Sequence, residues 1–377
     1  MRVYNFSAGP ATLPLSVLEA AKAQLTDYEG TGQSVMEMSH RSPAYDEIHR
    51  GALAALRRLL GSGGEPLGED YEVLLLQGGA SLQFSMVPMN LMGRGPGDGR
   101  TADYVLTGAW SKKALKEARR EGEARVAGST EESGFDHVPG ADELDLEAGA
   151  DYVHVTTNNT IFGTQWHDEH LRALEAAYGD GAGPPLVADA SSDILCRPRD
   201  VSRFGLIYAG AQKNLGPAGV TLVIVRRDLV EAAPETLPTM LQYRTHAAKD
   251  SMFNTPPTWA IYMLGLACKW LEDNGGTAAM GERNREKAAA LYAAIDGSDF
   301  YRGTVQPASR SLMNVPFRLP SQDLEAKFLA EAADNGLVNL KGHRSVGGIR
   351  ASIYNAMPLV GVEALIDLMA DFERRNG

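Results

Sequence analysis

The sequence contains little cysteine and no long apolar run. Its 377 residues include two cysteines, Cys196 and Cys268, in neither a CxxC pair nor a Cys/His pattern typical of zinc ligands. This excludes a disulfide framework, gives no sign of a bound metal and favours a reducing cytoplasm. The first ten residues lack an apolar signal segment, and no run approaches the roughly 20 residues of a membrane span. We therefore expect a soluble cytoplasmic protein.

The sequence also has fewer basic than acidic residues. The chain has 36 Lys and Arg against 48 Asp and Glu, a formal net charge of −12. Such a balance argues against nucleic acid or an anionic membrane as a partner, because no broad positive field attracts either. An anionic substrate must then be met by a local basic cluster. The length of the chain favours one large domain with a smaller companion.

The stretch that organises the chain is 205–219, an apolar strand followed by Lys213 and a glycine-rich turn. A lysine at the end of a buried strand can have a lowered pKa and act as a nucleophilic amine. Most lysines in such places are surface residues, so Lys213 alone is a weak signal. A second apolar strand, 186–189, ends in Asp189. An amine and an acid at neighbouring strand ends are what pyridoxal phosphate requires, to bind its aldehyde and to keep its ring nitrogen protonated.

Other predicted strand ends carry small or polar residues. The strand at 72–76 runs into a helix that begins near Ala80 and Ser81, and the free N–H groups of a helix start can bind phosphate. Trp110 follows another strand, where it could pack in the core or stack on a ligand. Thr160 lies in a polar loop after a further strand, as a turn former or a ligand contact.

These patterns predict an α/β fold with a mostly parallel central sheet flanked by helices. Glycines at 275 and 276 mark the expected boundary between a large cofactor-binding domain, 16–273, and a small C-terminal α+β domain, 274–377. We expect the N-terminal segment 1–15 to pack near the active site. The long connection 237–257 is of the kind that is usually functional or reaches a partner.

Six motifs distributed over the chain resemble the phosphoserine aminotransferase family, a class V group of fold-type I, pyridoxal-phosphate-dependent enzymes. They cover essentially the whole length, and several are specific. The motifs are Phe6–Pro10, Met38–Ser42, Gly78–Phe84, Ala211–Pro217, Phe253–Pro257 and Gly342–Met357.

The resemblance implies roles for individual residues. It assigns three catalytic residues: Lys213 holds the cofactor covalently, Asp189 contacts the ring nitrogen and Trp110 stacks on the ring. It also implies a homodimer with shared active sites. The remaining cofactor contacts that it implies are Thr160, Ala80, Ser81 and Gln212 from one chain and Asn254 and Thr255 from the second subunit.

The reaction that the resemblance implies is a ping-pong transfer of an amino group from L-glutamate to 3-phosphohydroxypyruvate, which gives O-phospho-L-serine and 2-oxoglutarate in serine biosynthesis. The related phosphorylated threonine precursor of vitamin B6 synthesis is a second candidate substrate. Arg350 suits the α-carboxylate, since a guanidinium can bind it in a bidentate fork. The residues expected to bind the phosphate or the glutamate side-chain carboxylate are His40, Arg41, His343 and Arg344.

Three alternative functions stay open at this point. A cysteine desulfurase or a serine-glyoxylate-type aminotransferase would share the fold, but a desulfurase needs a cysteine on a mobile loop. A nicotinamide-dependent oxidoreductase could use the glycine turn at 78–81 for pyrophosphate. That turn lacks the G-x-G-x-x-G fingerprint, and such an enzyme leaves the Asp189 and Lys213 pair unexplained.

Overall fold

The structure is a computed structural model that describes residues 2–93, 99–178 and 183–377. Its strands, in chain order, are β1 (Tyr4–Asn5), β2 (Tyr71–Leu76), β3 (Thr101–Leu106), β4 (Glu123–Ser129), β5 (Val153–Thr156), β6 (Leu186–Asp189), β7 (Leu206–Gly210), β8 (Thr221–Arg226), β9 (Arg302–Gly303), β10 (Asn314–Arg318), β11 (Leu337–Val338) and β12 (Ile349–Ser352). Its α-helices are α1 (Leu15–Ala23), α2 (Pro43–Leu60), α3 (Gly79–Leu91), α4 (Ala109–Ala118), α5 (Asp168–Ala176), α6 (Arg227–Glu231), α7 (Tyr243–Ala247), α8 (Thr258–Asp273), α9 (Gly276–Asp296), α10 (Gln322–Asp334) and α11 (Leu359–Asn376).

Seven strands form the central sheet, in the order β2-β8-β7-β6-β5-β3-β4. Strand β8 runs antiparallel to both of its neighbours, and the other pairings are parallel. All residues of β5, β6 and β7 are buried, because helices cover both faces of a parallel sheet. The predicted α/β fold with a mostly parallel central sheet is confirmed.

Each face of this sheet packs into its own hydrophobic core. In β2, Val73 and Leu75 belong to the core that includes residues of α2 and α8. The alternate residues Leu74 and Leu76 belong to the core on the other face, with residues of α3 and α4. This alternation follows from the period-two geometry of a strand, which sends successive side chains to opposite faces.

The C-terminal third of the chain builds a smaller sheet with its own core. Strands β9, β10 and β12 pair antiparallel, and α9, α10 and α11 contribute to a cluster that includes Phe317, Phe328 and Phe372. Phe6 belongs to the same cluster, and β1 pairs with β11. The turn between α8 and α9 coincides with the expected boundary at 274–276; the exact division into two domains stays a prediction.

Two parts of the chain differ from the sequence-based expectation. The connection 237–257 contains α7 and a short 3-10 helix, Thr239–Leu241, so it is more ordered than a bare loop. Edge strand β4 was not anticipated, because its sequence, EARVAGS, has exposed residues at both ends and no continuous apolar run. No helix in the described part of the chain is long and apolar enough to cross a membrane.

Strands β3, β5, β6 and β7 point the same way, so their carboxyl ends lie along one edge of the sheet. The segments that leave these ends are the start of α4, the loop 157–165, the turn after Asp189 and the turn that contains Lys213. This parallel arrangement brings the candidate functional residues together.

Candidate active site

Lys213 lies in the turn that follows β7. Its Nζ donates a hydrogen bond to Thr160 Oγ1 at 2.7 Å and lies 5.3 Å from the centre of the Trp110 ring. Burial lowers the pKa of the Lys213 amine to about 8, against the attraction of the nearby Asp189 charge, and the Arg350 charge lowers it further. An uncharged, nucleophilic form of this lysine is therefore accessible near neutral pH.

Asp189 is the last residue of β6 and is buried. One carboxylate oxygen accepts a hydrogen bond from the Ser191 backbone N–H at 3.0 Å. Burial raises the pKa of Asp189, while the Lys213 charge and the Ser191 contact lower it. The carboxyl group is thus placed where a cationic partner would be stabilised, beside the strand that leads to Lys213.

Trp110 is the second residue of α4, directly after β3, and its ring is partly exposed. Its buried indole Nε1 has no hydrogen-bond partner among the described residues. Lys113, one turn later, places its Nζ 4.2 Å from the ring centre. The unpaired N–H and the neighbouring cations favour a site for an anionic or polar aromatic ligand.

Thr160 connects the two cationic side chains of the site. Its hydroxyl accepts from Lys213, and its carbonyl oxygen accepts a hydrogen bond from Arg350 Nη1 at 3.1 Å. The Nε of Arg350 is buried and has no partner among the described residues, and burial lowers the pKa of this guanidinium. A buried guanidinium with an unused donor is suited to bind a carboxylate.

The start of α3 is a second candidate site for an anion. Gly78 caps the helix with φ 86°, a conformation that favours glycine, and an added Cβ would lie 2.6 Å from Leu82. The N–H groups of the first turn, which includes Ala80 and Ser81, have no intrahelical partner and can bind phosphate oxygens. Gln212, also expected at a phosphate, lies next to Lys213.

The loop before β12 adds further positive charge. His343 is partly exposed, and its Nδ1 is 2.7 Å from Ser345 Oγ. Burial lowers the pKa of His343, and the charges of Arg350, Arg344 and Lys113 lower it further. The structure thus brings His343 and Arg344 into the electrostatic neighbourhood of Arg350. This is the local basic cluster that an acidic protein needs for an anionic substrate.

Four predicted site residues are not joined to this cluster within one chain. His40 is partly exposed and Arg41 exposed, in the turn before α2. Asn254 and Thr255 are exposed, and Asn254 Nδ2 contacts the Thr255 carbonyl oxygen at 3.4 Å. Within the described ranges, no hydrogen bond, ion pair or ring contact links any of the four to Lys213, Asp189 or Trp110.

Sequence reasoning missed two residues of this region, Lys113 and Asn314, and it did not connect Asn158, in the polar loop after a predicted strand, with Asn314. Lys113 could have been found, because it follows Trp110 by one helical turn. Asn158 and Asn314 contact each other at 2.8 Å but are 156 residues apart, so no local pattern connects them. Over the described ranges, no group of three or more His, Cys, Asp or Glu side chains could hold a metal ion.

The residues present fit pyridoxal phosphate. The site offers an amine with a lowered pKa, a buried acid on the neighbouring strand, an aromatic ring with an unpaired N–H and a helix start. The amine suits the aldehyde of the cofactor, and the acid suits its ring nitrogen. The aromatic ring suits the face of the cofactor ring, and the helix start suits its phosphate.

Comparison with known proteins agrees with this geometry. A family model described as aminotransferase class-V matches residues 3–365. The phosphoserine aminotransferase of Geobacillus kaustophilus (strain HTA426) is 55% identical over 375 residues, which cover 99% of each chain. The solved structure of phosphoserine aminotransferase from Bacillus circulans subsp. alkalophilus matches with a TM-score of 0.92 and 50% identity, over 100% of this chain and 99% of that one. A structure described as pyridoxal-phosphate-bound phosphoserine aminotransferase from Trichomonas vaginalis matches with a TM-score of 0.89 and 38% identity, over 98% and 100%.

Proposed function

This chain belongs to the class-V aminotransferase family, and from that premise we propose that it acts as a phosphoserine aminotransferase. The reaction transfers the amino group of L-glutamate to 3-phosphohydroxypyruvate and yields O-phospho-L-serine and 2-oxoglutarate. The cofactor is pyridoxal phosphate, and the product serves serine biosynthesis. Identity of 55% over 99% of both chains supports the assignment of this reaction rather than of the fold alone.

The observation that carries the proposal is the position of the Lys213 amine. It contacts Thr160, lies over the Trp110 ring and is influenced by the charges of both Asp189 and Arg350. A reactive amine, an acid and a carboxylate-binding guanidinium thus meet at one sheet edge. Transamination of an amino acid needs these three groups together.

When bound, pyridoxal phosphate supplies an aldehyde that condenses with amines and a ring that withdraws electrons from the substrate Cα. Lys213 Nζ would hold the cofactor until the substrate amine displaces it. The free amine would then accept the proton from the substrate Cα and donate a proton again to complete the amino-group transfer. A pKa near 8 suits this exchange, because both protonation states of Nζ are populated near neutral pH. Asp189 would contact the ring nitrogen, and Trp110 the ring face.

The phosphate of the cofactor would bind at the start of α3. Backbone N–H groups near Ala80 and Ser81 provide neutral donors at the positive end of the helix dipole, and Gln212 adds an amide. Thr160 would contact the phenolic oxygen through the hydroxyl that now accepts from Lys213.

The substrate would be held at its two anionic ends. Arg350 would bind the α-carboxylate with its unpaired donors. His343 and Arg344 would bind the distal phosphate or carboxylate, since their loop lies in the same positive field. His40 and Arg41 are proposed for the same anion.

We also propose that two copies of the chain form a homodimer in which each active site is shared. Asn254 and Thr255 are exposed and match a motif of the family, so they are free to reach the cofactor phosphate of the other copy. His40 and Arg41 would likewise reach the active site of the other copy and bind the distal anion of its substrate. Two large exposed apolar side chains lie in the same loops, Met36 four residues before His40 and Phe253 beside Asn254, and a partner there would cover them.

The cysteines argue against a desulfurase. Cys196 and Cys268 are both buried, and burial raises the pKa of Cys196 to about 12 and that of Cys268 further. A persulfide-forming cysteine needs an accessible thiolate, and neither residue provides one. Two free, buried thiols also fit the proposed cytoplasmic location.

The test is a coupled assay of the purified protein loaded with pyridoxal phosphate. L-Glutamate is supplied with one of three keto acids: 3-phosphohydroxypyruvate, unphosphorylated hydroxypyruvate, or the phosphorylated keto acid whose amination gives the phosphorylated threonine precursor of vitamin B6 synthesis. Both products of each reaction are quantified. We expect kcat/KM to favour the phosphorylated keto acids by at least about 10-fold, because only they use the distal anion site. Equal kcat/KM for hydroxypyruvate would contradict the proposal.

A further inference from the structure

A pair of buried amides joins the two sheets behind the active site. Asn158 follows β5 of the central sheet, and Asn314 is the first residue of β10 in the small sheet. Asn158 Nδ2 donates to Asn314 Oδ1 at 2.8 Å. Asn158 is 2% exposed and Asn314 is 0% exposed, so this bond is shielded from water.

The Asn158 amide is fully used by contacts on both sides of the junction between the two sheets. Its Nδ2 also donates to Ser192 Oγ at 2.8 Å, and its Oδ1 accepts from Ser311 Oγ at 2.5 Å. Ser192 Oγ in turn donates to the Asn158 carbonyl oxygen at 2.8 Å. A satisfied buried amide of this kind fixes one backbone arrangement, since any shift leaves a polar group unpaired.

On the side of the small sheet, Asn314 is equally well paired. Its Nδ2 donates to Ser352 Oγ at 2.9 Å and to the Tyr354 hydroxyl at 3.2 Å. The Tyr354 hydroxyl donates onward to the Ala8 carbonyl oxygen at 2.8 Å. The amide pair thus ties the loop after β5 to β12 and to the N-terminal segment.

Arg350 lies on the same strand face as this contact. Ser352 and Arg350 are two residues apart in β12, so their side chains point to the same face. Across the strand pair, Asn314 is opposite Ser352 and Pro316 is opposite Arg350. Gly163, with φ 83°, presses against Pro316, and a Cβ at this glycine would lie 2.3 Å from the proline ring. The loop 157–165 therefore packs directly on this face.

The same loop carries Thr160, which contacts both Lys213 and Arg350. The Thr160 carbonyl oxygen accepts from Arg350, and its hydroxyl accepts from Lys213. Any movement of the loop away from β10 and β12 would break the two hydrogen bonds through which Thr160 holds the guanidinium and the amine in place.

We propose that Asn158 and Asn314 are positioning residues for the substrate α-carboxylate. They hold the loop 157–165 against β10 and β12, and this sets the place of the Arg350 guanidinium relative to Lys213 Nζ. The proposal rests on the proposed function to the extent that Arg350 binds the carboxylate of the amino donor. Neither asparagine takes part in the chemistry.

The test uses Asn158→Leu and Asn314→Leu, which keep the number of side-chain heavy atoms and the branch at Cγ and remove the amide. Binding of 2-methylglutamate, which has no Cα hydrogen to lose, is measured on the pyridoxal-phosphate-loaded protein by visible absorption. We expect its dissociation constant to rise about 10-fold, with KM for alanine, glutamate and phosphoserine rising by the same factor, because all share the α-carboxylate. The dissociation constant of pyridoxal phosphate should stay within about twofold. The double variant should lose little more than either single one, because the two residues act as a unit.

Asn90→Leu is the matched control. Asn90 is also fully buried, and its amide donates to Met86 and Leu241 carbonyl oxygens, but it lies about 15 Å along α3 from Ala80. We expect this variant to lower the melting temperature and leave both dissociation constants unchanged. If the asparagine variants do not fold, Ser352→Ala removes one contact of the network and should raise the 2-methylglutamate constant two- to threefold.

The proposal is wrong if Ser352→Ala and the folded asparagine variants bind 2-methylglutamate as tightly as wild type. It is also wrong if pyridoxal phosphate affinity falls by as much as 2-methylglutamate affinity, since that indicates general loosening. Failure of the proposed function looks different. Wild-type protein that reacts with glutamate and alanine but not phosphoserine would contradict the phosphorylated substrate and leave the role of the asparagines intact.

Discussion

Two groups of predicted site residues behave in opposite ways in a single chain. The group around Lys213 is closely connected through Thr160, Trp110, Asp189 and Arg350, with pKa values displaced by burial and by neighbouring charge. The other group, at positions 40–41 and 254–255, is largely exposed and makes no hydrogen bond, ion pair or ring contact with the first within the described ranges. One chain therefore assembles the candidate acid–base centre, and we propose that residues of a second copy complete the anion-binding part of the site.

The difference has a structural origin. The first group lies where parallel strands end, so the backbone of the sheet fixes its members relative to one another. The second group lies in the turn before α2 and in the segment between α7 and α8, where no strand constrains the side chains. A second copy of the chain is what we propose to complete this part of the site.

The largest expected effect concerns the centre of the connected group. Lys213→Ala should keep the fold and lose covalent cofactor and essentially all turnover, because no other lysine among the described residues combines a hydrogen bond to Thr160 with the attraction of the Asp189 charge. Borohydride reduction of the loaded protein followed by peptide mapping checks the attachment. Label on Lys113, the other lysine near the Trp110 ring, would overturn the assignment.

A smaller effect separates the two ends of the substrate. Arg344→Ala should weaken reaction with glutamate and phosphoserine by about 10- to 100-fold and spare alanine, which has no distal anion. Arg350→Lys is the matched comparison and should impair all three amino acids, since an ammonium cannot reproduce the planar fork. Single-turnover reaction with each amino acid measures both. Equal losses for alanine and phosphoserine in Arg344→Ala would show that Arg344 does not bind the distal group.

The smallest effect is a change in the titration of Lys213 without cofactor. Acylation of its amine should follow a pKa of about 8. Asp189→Asn removes an attraction that stabilises the charged amine and should lower this pKa, whereas Arg350→Met removes a repulsion and should raise it. Mass spectrometry of the Lys213 peptide as a function of pH reads the values. Shifts of the same sign in both variants would contradict the electrostatic account.

The sequence predicted the connected group well because its signals are local. Asp189 and Lys213 end apolar strands of buried type, and such strands align their carboxyl ends in a parallel sheet. Trp110 and Thr160 follow other strands in the same way. The helix start at α3, the candidate phosphate site, was predictable from a glycine turn between a strand and a helix.

The sequence did not predict how the strands pair or how the two sheets pack against each other. The strand order, the antiparallel β8 and the edge strand β4 depend on pairing between distant segments, which no local pattern encodes. The Asn158 and Asn314 contact depends on the docking of one sheet on another. Asn254 and Thr255 are assigned a role only through a resemblance, because the bond from Gln77 Nε2 to the Thr255 carbonyl oxygen at 3.3 Å does not by itself indicate one.

Subunit mixing tests the central claim, that one chain leaves the site incomplete, most directly. Lys213→Ala chains and chains carrying Asn254→Ala with Thr255→Ala are each expected to be inactive or strongly impaired alone. After verified subunit exchange, a heterodimer contains one site with both defects and one with neither. Each heterodimer should therefore have about half the activity of a wild-type dimer. Recovery of activity on mixing is the result predicted here. No recovery, with exchange demonstrated by mass spectrometry of the intact dimers, would mean that each site is built from one chain.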